Sequence, residues 1–265
     1  MRNRTALVLG GTSGIGLGIA RSLAARGTAV TIAGRDAERA EKTALDIPVP
    51  AGAPAALGIG LDLSRPDSLA EPLRQYGKGG KGRKGRKGFD IVVLNGPGYR
   101  PGRVTAATAD DFAQAYSSMF LSLQQVVESV VGGMRENQWG RLLYVSSSSV
   151  IAPIGELAVS SVIRSAVNAY MKLLANDLAG DGITVNSIVP GRIDTPRVRA
   201  VDAARARDRG ITADEVRSHT EGLIPAGRYG TPEDMGELAA FLCSDRAGYL
   251  TGSTYRCDGG MTTAL

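Results

Sequence analysis

The chain has 265 residues, 43% hydrophobic and 22% charged, which suits one α/β domain spanning 1–265, since such folds often run undivided to roughly 250 residues. No apolar stretch of about 18 residues is present, so no membrane span is expected. The first strand follows Met1 so closely that no signal peptide is expected either, and two cysteines, Cys243 and Cys257, are too few for a disulfide framework or a zinc site. Reduced, buried thiols and a cytoplasmic setting follow. Six of the cations behind the net charge of +5 lie in 77–88, and the rest of the chain is nearly neutral at −1.

The first element is the most informative. Leu7-Val8-Leu9 is an apolar run, Gly10-Gly11-Thr12-Ser13-Gly14-Ile15-Gly16 a glycine-rich turn, and Ile15, Ile19 and Leu23 recur at helical spacing. A strand turning through glycines into a helix aims backbone N–H groups and the positive end of the helix dipole at one point, where a pyrophosphate is held without a cationic side chain. Gly10 allows the tight turn, Gly14 lets backbone approach phosphate, and Gly16 lets helix pack on strand. The alternative is an ordinary strand–helix turn that happens to be rich in glycine.

Strand-like runs follow at 29–33, 57–61, 91–94, 142–145, 183–189 and 253–257, with helix-like segments at 36–45, 66–76, 109–136, 157–179 and 232–244. This alternation predicts a Rossmann-type doubly wound parallel sheet of about seven strands with helices on both faces. The glycine-and-cation segment 77–88 cannot bury surface and reads as a solvated loop insertion. It has no interleaved aromatic residues to stack on bases, so no nucleic-acid partner is expected. Segment 192–223, which carries His219, the only histidine, reads as a helical flap over a small-molecule substrate.

Several stretches in order carry a resemblance: Gly10–Gly16, Asp62-Leu63, Asn95-Gly96, Val185-Asn186-Ser187-Ile188-Val189-Pro190-Gly191, Asp194-Thr195-Pro196, Arg228-Tyr229-Gly230-Thr231-Pro232-Glu233-Asp234, Thr251-Gly252 and Asp258-Gly259-Gly260. Across nearly its whole length the chain resembles a classical short-chain dehydrogenase/reductase, similar to bacterial 3-oxoacyl carrier-protein reductases. The resemblance implies a dinucleotide held by Gly10, Thr12, Ser13, Gly14, Ile15 and Gly16. Asp62 and the Leu63 backbone would meet the adenine, Asn95 and Gly96 the nicotinamide ribose, and Pro190, Gly191, Ile193 and Thr195 the nicotinamide. Asp62 as a helix N-cap ahead of Pro66, and Thr195 as a turn residue before Pro196, are the competing readings.

Cofactor choice turns on Ala33-Gly34-Arg35-Asp36 at the end of the second strand. An NAD enzyme keeps an acid there for the ribose 2′-hydroxyl. Here glycine fills that slot, Arg35 suits a 2′-phosphate, and Asp36 reads as the next helix's N-cap, so NADP(H) is expected.

The resemblance breaks at the catalytic centre. Ser147 takes the family's serine position, but Ser160 falls in the tyrosine slot, Arg164 in the lysine slot and Met119 in the asparagine slot. No tyrosine of the chain has a lysine four residues on. A serine hydroxyl is far less acidic than a phenol, and an arginine cannot relay a proton. Tyr99 and Tyr116 are the candidates for a substitute donor. Three functions compete: an NADP(H)-dependent reductase of a carbonyl, imine or enone with a modified centre, a non-redox dehydratase or isomerase, and a dinucleotide-binding pseudoenzyme. A serine-hydrolase reading is weak, because no Gly-x-Ser-x-Gly elbow surrounds Ser147. The resemblance also implies a homotetramer or homodimer, and Val162, Ala166, Ala169 and Leu173 form an apolar stripe that either meets a partner or covers the sheet.

Overall fold

A computed structural model describes residues 1, 3–77 and 88–264. The basic segment 77–88 lies outside the described residues except at its two ends. Strands β1 (Thr5–Leu9), β2 (Ala29–Gly34), β3 (Leu57–Gly60), β4 (Ile91–Leu94), β5 (Gly140–Val145), β6 (Ile183–Pro190) and β7 (Thr254–Cys257) form one sheet in the order β3-β2-β1-β4-β5-β6-β7. Every pairing is parallel.

Side-chain alternation along the strands feeds two cores. Leu7, Leu9, Val92, Leu94, Leu142 and Tyr144 point to one face, where they meet helices α3 (Ala70–Gly77), α5 (Ser122–Glu136) and α6 (Ala158–Leu178). Ala6, Val8, Ile32, Val93, Leu143 and Val145 point to the other, under α1 (Gly14–Ala25), α2 (Ala37–Leu45) and α9 (Pro232–Leu242). Burial on both faces is why these strands read as continuous apolar runs, each large side chain contributing about 1.5–3 kcal/mol of transfer free energy.

Two expected helices are interrupted. Segment 66–76 opens with a 3₁₀ turn, Pro66–Ser68, before α3. Segment 109–136 divides into α4 (Ala109–Tyr116), a π-helical turn at Ser117–Leu121, and α5. Segment 192–223 forms two helices, α7 (Pro196–Arg209) and α8 (Ala213–Gly222), over the carboxyl end of the sheet. This lid is tied down by the buried Asp202, which pairs with Arg192 and accepts the Tyr229 hydroxyl at 3.0 Å. Cys243 is buried, and burial pushes its thiol up to about 12, while Cys257 is only half-buried, because β7 is an edge strand.

Helix α9 begins with a reciprocal cap. The Asp234 N–H donates to the Thr231 hydroxyl at 3.1 Å, and the Thr231 N–H donates to the Asp234 carboxylate at 2.8 Å. The Arg228 guanidinium joins that carboxylate at 2.8 Å and, with the cap, pulls its pKa down to about 2. A depressed folded-state pKa gives stability that is full above the ordinary carboxylate range and is lost as the pH falls through about 2. Asp234→Asn should therefore cost about 1 kcal/mol at pH 7, allowing for solvent screening of the ion pair. The difference from the parent should vanish near pH 2, as read from urea unfolding across pH.

Candidate active site

Where the strand order reverses between β1 and β4, the loops at the carboxyl ends of the strands part into a crevice. Two cavities of about 580 and 610 Å³ lie there, and they share Gly10, Ser13, Asn95, Gly96 and Arg197 along their common wall. They form one continuous cleft.

The first cavity is lined by Gly10, Thr12, Ser13, Arg35, Asp62, Leu63, Asn95 and Gly96. Gly10 and Gly14 have φ of +59° and +52°, which other residues rarely adopt, and Gly16 packs so that a Cβ would stand 2.2 Å from the Gly10 carbonyl oxygen. Gly16 thus braces the turn rather than facing the cleft. The turn suits an anion, because α1 has no acid in its first turn and no side-chain cap at Ser13. The Asn95 amide donates to the Gly10 carbonyl at 3.5 Å, coupling the loop after β4 to the turn.

At the end of β2, Arg35 is exposed on the cavity wall. Asp36 caps α2, accepting the Arg39 N–H at 3.0 Å, so its carboxylate is already committed. Asp62 accepts the N–H and hydroxyl of Ser64 at 3.0 and 2.8 Å, and those bonds hold its pKa below the usual carboxylate range. It therefore stabilises its own loop rather than capping the turn at Pro66, which has Arg65 as its N-cap residue. Thr195 caps α7 through the Val198 N–H at 3.2 Å while lining the second cavity close to Gly14.

The second cavity brings together Ser147, Ser160 and Arg164 with Gly14, Ile15, Pro190, Gly191, Ile193 and Thr195. Ser147 accepts both the N–H and the hydroxyl of Ser149, at 3.2 and 3.0 Å, and Ser160 accepts the Arg164 Nε–H at 3.3 Å. With those lone pairs engaged, each serine keeps its own O–H available to donate. Arg164 spans several elements: Nη1 donates to the Tyr144 hydroxyl and the Val145 carbonyl at 3.3 Å, and Nη2 to the Pro97 carbonyl at 3.2 Å.

The family model described as enoyl-(acyl carrier protein) reductase matches residues 10–262. The chain belongs to the short-chain dehydrogenase/reductases. D-beta-hydroxybutyrate dehydrogenase of Cupriavidus necator is 30% identical to it over 98% of each chain. 3-oxoacyl-(acyl-carrier-protein) reductase of Aquifex aeolicus is 27% identical, again over 98% of each. Among solved structures, an NADPH-dependent reductase involved in bacilysin biosynthesis is similar with a TM-score of 0.89 and 25% identity over 99% of both chains. L-sorbose reductase from Gluconobacter frateurii, complexed with NADPH and L-sorbose, has a TM-score of 0.88 and 26% identity over 100% of this chain and 98% of its own.

Within this short-chain dehydrogenase/reductase the expected substitute acids do not reach the cleft. Tyr99 donates to Asp111 at 2.9 Å and lines a separate small cavity, and burial and that carboxylate push its pKa up. Tyr116 stacks on Phe120 at 5.1 Å between ring centroids. Met119 does not face the cleft: it is buried with Ala115, Val159 and Ile163, while its neighbour Ser118 lines the first cavity. The π turn carries both residues, and helical counting from Phe112 does not anticipate it.

The residue that sequence reasoning missed is Tyr144. It is fully buried behind Arg164, and burial pushes its phenol up against the pull of that guanidinium. Alternation along β5 was the available signal, since it puts Tyr144 on the face that α6 covers. Removing Arg164 strands a buried hydroxyl. Arg164→Ala should cost about 2 kcal/mol and lower Tm by roughly 4–8 °C in thermal unfolding, with Arg164→Lys recovering only part because an ammonium lacks the planar fork.

Proposed function

We propose that this protein is an NADP(H)-dependent reductase of a small carbonyl, imine or activated enone, with serine hydroxyls replacing the family's usual phenol. The observation that carries the reading is that the glycine turn, Arg35 and the Ser147–Ser160 pair line one continuous cleft. The names of two structural relatives, which cite NADPH, support the cofactor. The bound dinucleotide would supply hydride, with its pyrophosphate on the β1–α1 turn and its 2′-phosphate beside Arg35. Ser147 and Ser160 donate hydrogen bonds to the substrate atom that gains negative charge, an effect worth up to about 3–4 kcal/mol when preorganised, and that atom then takes its proton from solvent water. Arg164 holds Ser160 in place and adds a fixed positive charge, but transfers no proton. This arrangement favours substrates that need little acid assistance.

The loss of the phenol and the ammonium favours one rival, a dinucleotide-binding subunit without turnover. Absorbance of the nicotinamide band, followed with a panel of ketones, imines and enones, separates the two. NADPH should be consumed with at least one substrate and should bind at least about tenfold more tightly than NADH, a preference lost in Arg35→Ala. Binding without consumption across the panel would leave the rival standing.

A homo-oligomer built on α6 belongs to the same proposal. Val162 and Leu173 are 51% and 63% exposed, and Ala166 and Ala169 are exposed beside them, so this stripe does not cover the sheet. The core face of α6 is Val159, Ile163, Val167 and Met171 instead. Light scattering should give a dimer or tetramer mass at micromolar concentration, and Val162→Glu with Leu173→Glu should shift it to the monomer.

A further inference from the structure

We propose that the substrate carries an anionic group, a carboxylate or a phosphate, recognised by Arg205 and Arg209 on the lid; this deepens the reductase reading and rests on it. Among the described residues, the second cavity is lined by five arginines and His219, and by no aspartate or glutamate. Such one-signed lining focuses a positive potential into the cleft.

The acids of the lid are spent elsewhere or do not line the cavity. Asp194 pairs with Arg199 at 2.7 Å and with Arg217 at 3.1 Å, and Glu221 pairs with Arg217 at 2.9 Å. Asp202 is held by Arg192 and Tyr229, and Glu215 closes the cap of α8. Asp208 and Asp214 do not line the cavity.

The lining cations differ in the same way. Arg164 and Arg192 are committed to protein partners. Arg197 lies on the wall shared with the dinucleotide cavity. The side chains of Arg205 and Arg209 have no hydrogen bond or ion pair among the described residues, yet they stand four residues apart on one face of α7. Like charges at that spacing repel and cost helix stability. A bound anion would turn this repulsion into a two-guanidinium clamp, with the planar forks suited to carboxylate or phosphate oxygens. Ile154, Leu157 and Leu223 line the same cavity and offer apolar contact to the body of the molecule between the clamp and the serines.

Calorimetric titration of the NADP⁺-saturated protein with matched probes tests this. One pair is phenylpyruvate and its methyl ester, and the other is dihydroxyacetone phosphate and dihydroxyacetone. At least one anion should bind tenfold or more tightly than its neutral twin, and the pair that shows it identifies the group as carboxylate or phosphate. R205A/R209A should abolish the preference and R205E/R209E reverse it, with circular dichroism verifying that these surface variants fold. Equal affinities within both pairs, or a preference untouched by R205A/R209A, overturns the proposal. NADPH consumption, scored separately, tests the reductase reading: an anion preference without turnover on the wider panel sinks that reading and leaves the clamp, while turnover without preference does the reverse.

Discussion

The handedness of strand–helix–strand connections governs this molecule. A crossover between parallel strands is right-handed in nearly all proteins. From β1 the chain steps through α1 and α2 to β2 and β3 in one direction, then returns and steps from β4 to β5 and β6 in the other. Opposite directions with one hand require opposite faces, so α1 and α2 cover one side and α3, α5 and α6 the other. The loops after β1 and β4 therefore separate, and the cleft is the gap they leave. The last connection breaks the pattern: β7 continues outward from β6, yet α9 packs on the face of α1. The long excursion through α7 and α8 supplies the chain needed to cross to that face.

Within the cleft, Arg164 concentrates most of the local order. An ammonium in that position would be a compact point charge that titrates, whereas the guanidinium has a rigid fork of donors and remains charged. Here the fork is spent on Ser160, on Tyr144, on the carbonyl end of β5 and on Pro97 after β4. Helix α6 is thereby fastened to two strand ends on the far side of the reversal. The same bonds orient the Ser160 hydroxyl. In the proposed reaction, fixed hydrogen-bond donation from the serines stands where the family's phenol would deliver a proton.

The lid pairs some of its charges internally and leaves others at the cleft. Three of its carboxylates, Asp194, Asp202 and Glu221, pair with Arg192, Arg199 and Arg217 of the same segment, while Arg197, Arg205 and Arg209 line the cleft. A buried pair such as Arg192–Asp202 contributes little net stability but is costly to break on one side only, which pins the lid to the loop that carries Tyr229. Which of the lining guanidiniums remain open to a ligand is thus set by which have found partners.

The parallel sheet, its alternation with helices, the glycine turn and the Asp36 cap were legible in the chain, because each depends on neighbours within a few residues: an apolar run, a positive φ, a side chain reaching the next N–H. The family resemblance pointed to Ser147, Ser160 and Arg164, and the fold brings all three to one cavity. Tertiary structure decided what those residues touch. Tyr144 lies twenty residues from Arg164 and meets it only because β5 and α6 pack. Tyr99 is drawn to Asp111, and the π turn hides Met119 while exposing Ser118. No local pattern reveals that, among the described residues, the side chains of Arg205 and Arg209 lack partners while Arg192 has one. Pairing among distant charges is settled only when the helices dock, since ion pairs act over a few ångströms and sequence distance says little about spatial distance.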